Sequence, residues 1–135
     1  MKRVIQDDEA GCGIACVAMV TGKTYLQAKR FFLERIFLPT DKKPHTRHYQ
    51  LRRAHENFGI KTEKRPFRYW RSIETDAIVP INRRRDGGWH LVVFVQEGNR
   101  PYILDPAPGK GRRRYEFRGM KARGFYIAIP SSHTK

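Results

Sequence analysis

Four residues of this sequence have side chains that together could cleave an acyl bond, and along the chain they are Gln6, Cys12, His90 and Asp105. A cysteine thiolate is a nucleophile, and an adjacent imidazole can take its proton and later give a proton to the leaving group. A carboxylate beside the imidazole fixes its tautomer, and a side-chain amide N–H can stabilise a developing oxyanion. The residue types therefore predict nucleophilic catalysis through a thioester.

The candidate nucleophile stands where a predicted helix begins. Cys12 opens an apolar run to residue 20, which is typical of a buried helix. Unpaired N–H groups and the positive end of the helix dipole would stabilise a thiolate there. We expect the bare backbones of Gly11 and Gly13 to let a substrate approach closely. Cys16 lies one turn later, and we expect it to be a core residue because the C-x-x-C spacing of redox sites is absent.

The candidate base and its orienting group belong to two β-rich runs joined by a turn. His90 opens the apolar residues 91–95, and Asp105 follows the run 102–104. If these runs pair as a hairpin, both side chains lie at its open end. Trp89 is expected to wall a substrate cleft beside His90. Taken singly, each residue also has an ordinary use: an edge histidine, an Asp-Pro turn or, for Gln6, a surface glutamine.

The remaining pattern predicts helices first and strands afterwards. Helices are expected over residues 12–20, 25–37 and 47–58, and strands over residues 78–81, 89–95, 102–104 and 125–129. Thr24 with Gln27 predicts a capping box, and Thr46 is expected to cap the third helix. The second helix is expected to bury Leu26, Phe32, Leu33, Ile36 and Phe37. This order predicts an α+β fold with N-terminal helices on a C-terminal antiparallel sheet, in one domain over residues 1–130 with a tail at 131–135.

Charge is the strongest compositional signal. The 135 residues include 28 Lys and Arg against 13 Asp and Glu, a formal net charge of +15. Such a field attracts acidic partners, and we expect the basic segments 83–85 and 110–114 to flank the catalytic end. A nucleic-acid partner is not favoured, since no recognised module is present. No membrane span or secretory signal is predicted, so a cytoplasmic location is expected. No metal or organic cofactor is expected, since two cysteines and scattered histidines fit no four-ligand zinc signature.

Three motifs together resemble the C39 peptidase family, the double-glycine leader peptidases of bacteriocin export. Gln6 is followed after five residues by Cys-Gly-x-Ala at 12–15 and an apolar helix with a methionine. Residues 90–93 resemble the family's His-x-Val-Val strand, and residues 105–109 its Asp-Pro-x-x-Gly turn. The resemblance implies a papain-like fold, a Cys-His-Asp triad and cleavage after small residues such as Gly-Gly.

The expected function is therefore hydrolysis of a peptide bond in a peptide or protein substrate. The family domain usually heads a membrane transporter, whereas this sequence predicts a stand-alone domain, so the leader-peptidase role is not carried over. Two other functions stay open: a non-catalytic domain that binds an acidic protein or nucleic acid, and a cysteine-dependent acyl transferase or isopeptidase. The sequence does not indicate an oligomeric state.

Overall fold

Three helices precede five strands in the part of the chain that the structure describes. The computed structural model describes residues 1–38, 46–82 and 89–130. The helices are α1 (Cys12–Thr21), α2 (Tyr25–Arg35) and α3 (His48–Asn57). The strands are β1 (Glu63–Pro66), β2 (Asp76–Ile81), β3 (His90–Val95), β4 (Tyr102–Leu104) and β5 (Phe125–Ile129), with a 3₁₀ turn, Trp70–Ser72, before β2. The predicted α+β class is confirmed, and the predicted tail lies outside the described residues.

All strand pairs in the sheet are antiparallel, in the order β1-β5-β2-β3-β4. The predicted hairpin of β3 and β4 is confirmed, with Val93 opposite Leu104 and Val95 opposite Tyr102. Its turn is closed by a hydrogen bond from the Arg100 N–H to the Glu97 carbonyl, 3.2 Å long. This register brings the start of β3 and the residue after β4 to the same end of the sheet.

Two apolar layers cover the sheet. Alternate residues of β3 belong to different clusters, because successive side chains of a strand point to opposite faces. Leu91 and Val93 pack with α1, α2 and α3, whereas Val92 and Phe94 pack with Trp70 and its neighbours. Helix α1 is apolar on every side and is buried from Cys12 to Met19. The helix that carries the candidate nucleophile is thus fixed in the core.

Helix α2 has the predicted capping box but only part of the predicted apolar face, since Phe32 and Phe37 are buried and Ile36 packs against the core. The Gln27 N–H donates to Thr24 Oγ1, and the Thr24 N–H donates to Gln27 Oε1. Leu26 and Leu33 are 63% and 56% exposed, so their predicted burial is wrong. The buried positions are Tyr25, Ala28 and Phe32. Alanine is small and tyrosine has a polar tip, so neither stands out in the apolar pattern of the sequence. The leucines dominate that pattern instead.

Two further predictions are corrected. Thr46 does not cap α3: the cap is Arg47, whose N–H donates to Gln50 Oε1 over 2.8 Å, while Thr46 is buried. Strand β1 was not predicted, since its sequence, Glu-Lys-Arg-Pro, has no apolar alternation. It forms because it pairs with β5 at one edge of the sheet, where exposed charged side chains and a proline are tolerated.

None of the helices in the described ranges is long and apolar enough to cross a membrane.

Candidate active site

The N-terminus of α1 presents Cys12 to the end of the sheet. Gly11 is the N-cap and provides no side-chain cap, and the first turn has no acidic residue. The positive end of the helix dipole is therefore not neutralised by the helix's own side chains. Cys12 is 7% exposed. A thiol at this position is held by a buried helix and lies in a positive local potential.

His90 and Asp105 are in direct contact. The distance from His90 Nε2 to Asp105 Oδ1 is 2.6 Å, so the ring N–H donates to the carboxylate. The Ala107 N–H donates to the same carboxylate oxygen over 2.9 Å. Asp105 therefore makes both contacts considered from the sequence, since its carboxylate accepts from the turn after β4 and from an imidazole.

The side chain of Cys12 lies close enough to His90 to act on the ring and help raise its pKa. Because Asp105 takes Nε2, the nitrogen that remains for the thiol is Nδ1. Burial by itself lowers the pKa of His90, but the hydrogen bond to Asp105 and the interaction with Cys12 outweigh it and raise that pKa to about 9. Burial likewise raises the pKa of Asp105, but the hydrogen bonds from His90 and the Ala107 N–H outweigh it and leave the pKa below its ordinary value. Three of the four candidates thus form one connected unit.

Gln6 lies near this unit but does not present a free N–H. Its backbone N–H donates to the Pro106 carbonyl, which places it beside the turn that follows Asp105. Its side-chain Nε2 donates to the Asp8 carbonyl over 2.9 Å and to the Glu9 carbonyl over 3.1 Å. In this arrangement the amide fastens the turn before Cys12. Donation to an oxyanion requires that one of these bonds be exchanged.

Several residues that position the site were not found from the sequence. Arg3 Nε donates to the Asp105 carbonyl and Arg3 Nη2 to the Ala107 carbonyl, both over 2.6 Å. This bidentate contact fastens the turn that carries the carboxylate. The only local signal was an arginine near the N-terminus of a chain rich in arginine, and the contact spans more than a hundred residues.

A second unpredicted contact holds the approach to the nucleophile. Tyr25 Oη donates to Asp8 Oδ2 over 2.7 Å, and Lys29 Nζ lies 3.0 Å from the same oxygen. The hydrogen bond from Tyr25, followed by that from Lys29, lowers the pKa of Asp8. Helix α2 therefore fixes the segment that leads into Cys12.

Gly11 and Gly13, the glycines beside Cys12, leave space that side chains of the protein itself occupy. A Cβ at Gly11 would lie 2.1 Å from Tyr25 Oη, and a Cβ at Gly13 would lie 1.8 Å from Thr46 Oγ1. These glycines therefore have a packing role, because Tyr25 of α2 and Thr46, two residues before α3, lie where a side chain would project. Their expected contact with a substrate stays a prediction.

The remaining expectations concern Cys16, Trp89 and the two basic segments, and they have different outcomes. Cys16 is fully buried, as expected of a core residue, and burial followed by the charges of Cys12 and Asp105 raises its pKa well above the ordinary value. Trp89 is half-buried and its ring packs against Phe125. The basic segment 83–85 lies outside the described residues. The other basic segment bears out the prediction only in part. The charge of Lys110 acts on Asp105 and helps to lower its pKa, whereas the guanidinium of Arg113 lies over the ring of Tyr102 at the opposite end of β4.

A family comparison assigns the chain. The family model of the peptidase C39 family matches residues 1–123. The protein belongs to the peptidase C39 family. It is therefore a cysteine peptidase by family.

A comparison with solved structures gives the same fold. The double-glycine motif protease from an AMS/PCAT transporter, solved in complex with the leader peptide, is similar to this C39 peptidase with a TM-score of 0.59. The two are 20% identical, and the alignment covers 93% of this chain and 87% of that chain. No curated protein matches the sequence.

Proposed function

We propose that this C39 peptidase hydrolyses a peptide bond with Cys12 as nucleophile, His90 as proton carrier and Asp105 as the orienting carboxylate. The single observation that carries the proposal is the 2.6 Å contact of His90 with Asp105, in a ring whose pKa the Cys12 side chain also raises. An imidazole with a pKa of about 9 holds a proton at neutral pH, so it can balance the thiolate and later protonate the leaving amine.

The steps follow from this arrangement. The Cys12 sulfur attacks the carbonyl carbon, and the carbonyl oxygen becomes an oxyanion beside the N-terminal N–H groups of α1. The carbon–nitrogen bond breaks as His90 gives its proton to the amine, which leaves a thioester on Cys12. Water then attacks the thioester, His90 takes a proton from the water, and the carbon–sulfur bond breaks to release a carboxylate.

In this proposal Gln6 contributes an N–H to the oxyanion after exchanging a bond with the Asp8 or Glu9 carbonyl. The acyl side of the cut is proposed to carry small residues such as Gly-Gly. Support comes from the family membership and from the nearly buried sulfur of Cys12, since a substrate backbone without large side chains reaches such an atom most easily.

A peptide library with mass-spectrometric detection of the products tests the proposal. We expect two products whose masses sum to that of the substrate plus water, with glycine or alanine before the cut. Products joined to an added amine, in place of hydrolysis, would identify an acyl transferase. A preference for bulky residues on the acyl side would refute the proposed specificity. A protein that cleaves no peptide, and whose Cys12 does not react with a thiol-directed acylating probe, would refute the proposed activity.

A further inference from the structure

A groove of about 350 Å³ lies at the same end of the sheet as His90. Its lining includes two aromatic side chains, Trp89 and Phe125, and two exposed cations, Lys121 and Arg123. The lining residues that the structure describes include no carboxylate. Among the described residues, the groove therefore combines an apolar wall with a positive charge that its own lining does not balance.

The aromatic wall of the groove is held in place from several sides. The rings of Phe125 and Trp89 are 5.6 Å apart at an angle of 82°. His48 packs against Phe125 with its ring centroid 5.4 Å away, and Lys64 Nζ lies 4.7 Å from the centre of the Phe125 ring. Such edge-on and cation–π contacts fix ring orientation, so the wall is formed before any ligand binds.

The cations are carried by a segment that is tied to the end of β2. The Asn82 N–H donates to the Lys121 carbonyl over 3.1 Å, and Ile81 forms a bridge with Ala122. Asn82 has a φ of 49°, in the left-handed region that asparagine tolerates better than most residues. The backbone that carries Lys121 and Arg123 is thus an extension of the sheet, while their charged ends stay in solvent.

The groove lies next to His90, and this position places it on the side of the substrate that follows the scissile bond. Trp89 precedes His90, and Ile81 is opposite His90 in the sheet. The leaving amine must receive its proton from His90 while the acyl carbon is bonded to Cys12. The substrate segment after the cut therefore passes His90, and Trp89, the neighbour of His90 in the chain, lines the groove.

We infer that this groove binds the segment that follows the scissile bond and selects a substrate with an acidic side chain there. The inference rests on the proposed function, because it assigns the groove from the role of His90. A carboxylate pairs with Lys121 and Arg123 while an adjacent apolar group lies on Trp89. Two partly exposed ion pairs predict a preference of about five- to tenfold in kcat/KM at low salt, which falls as salt screens them.

Three peptides with one cleavable sequence test the inference. One has Glu at the second and third positions after the cut, one has Lys there, and one has the Glu pair moved to the acyl side. The wild type is expected to cleave the first about five- to tenfold better than the second in kcat/KM. The third peptide is expected to show no such advantage. Equal kcat/KM for the first two peptides, or an equal advantage for the third, overturns the inference.

Matched variants assign the effect to the groove. The double variant Lys121→Ser, Arg123→Ser is expected to cleave the first two peptides equally. The control, Arg30→Ser with Arg71→Ser, removes the same charge from exposed positions elsewhere and is expected to keep the preference. A control that loses the preference equally would show a general effect of net charge and would overturn the inference.

Binding to Cys12→Ala separates this inference from the proposed function. The variant cannot form a thioester, so its affinity for the first two peptides reports the groove without turnover. If the wild type cleaves peptides but Cys12→Ala binds both equally, the groove inference alone fails. If the wild type cleaves none while Cys12→Ala still prefers the acidic peptide, the proposed function fails and the charge selectivity of the groove stands.

Discussion

Two histidines of this C39 peptidase, one half-buried and one fully buried, have opposite properties. His90, at the end of the sheet, bonds Asp105 and interacts with Cys12, and its pKa is raised to about 9. His55, inside α3, is fully buried, and its Nδ1–H donates to the Leu51 carbonyl over 2.6 Å. Its Nε2 has no hydrogen-bond partner within the described ranges, and burial, only partly opposed by the Leu51 carbonyl, lowers its pKa to about 4.

Burial has the same sign for both rings, because a charged imidazole loses hydration in either place. The difference comes from the partners. A backbone carbonyl orients the ring of His55 but does not balance a full positive charge, whereas the carboxylate of Asp105 does so for His90. An embedded histidine is therefore a neutral packing residue by default, and acidic partners turn it into a proton carrier.

The largest expected effect is on turnover, which should depend on His90 and not on His55. Cys12→Ala and His90→Ala are each expected to reduce kcat by about 10⁶-fold, because nucleophile and base act as one unit. Cys16→Ala and His55→Gln are the matched controls and should keep activity, with Cys16→Ala losing about 1 kcal/mol of stability. Peptide hydrolysis measures the turnover of each variant, and circular dichroism measures its folding and stability. An inactive, folded Cys16→Ala would mean that the nucleophile is misassigned.

A smaller effect is expected when the partner of His90 loses its charge. Asp105→Asn keeps a side-chain oxygen for the ring but removes the charge that helps to raise the pKa of His90. We expect kcat to fall by up to about 10⁴-fold, less than for Cys12→Ala. His90 carries the proton needed by the leaving amine, so wild-type activity should decline as pH rises through about 9. In Asp105→Asn that decline should move to lower pH. An unmoved alkaline limb would contradict the role of Asp105.

The contribution of Gln6 should be smaller again. Gln6→Ala is expected to lower kcat/KM by about 10²–10³-fold, the cost of one oxyanion donor. A peptide aldehyde, whose adduct with a thiolate carries an oxyanion, should lose affinity in the same proportion. The melting temperature reports the observed bonds to the Asp8 and Glu9 carbonyls, whereas the kinetics and the aldehyde affinity report the oxyanion role. A variant that melts lower but retains wild-type kinetics and aldehyde affinity would show that Gln6 only fastens the turn.

The two histidines also mark how far the sequence could predict the structure. Local patterns indicated α1, the hairpin and the meeting of His90 with Asp105, because a turn between two apolar runs determines the pairing. The contacts of Arg3 with the turn after β4, and of Thr46 with Gly13, depend on how distant segments pack. Nothing near Arg3 or Gly13 in the sequence specifies those partners. The inert state of His55 is likewise a product of tertiary burial.

The last prediction concerns stability, where His55 and His90 should act at opposite ends of the pH scale. The folded-state pKa of His55, about 4, lies below the value near 6.5 of the unfolded chain. Its contribution to stability is thus present above about pH 6.5 and is lost as pH falls toward 4. The shift corresponds to about 3 kcal/mol in total, of which about 2 kcal/mol is lost by about pH 5. For His90 the folded-state pKa is raised to about 9, so its contribution is present below about pH 6.5 and is lost as pH rises through 9.

Urea unfolding at about pH 7 and pH 5, in wild type, His55→Gln and His55→Phe, isolates the contribution of His55. Neither replacement titrates, and phenylalanine leaves no buried nitrogen without a partner. Both variants are expected to lose about 2 kcal/mol less than the wild type on acidification. His48→Gln is the control at a far less buried ring of the same helix, and it should change this difference much less. Equal losses in wild type and in both His55 variants would show that the ring is protonated in the folded protein at pH 5, and that burial without an acidic partner does not keep it neutral.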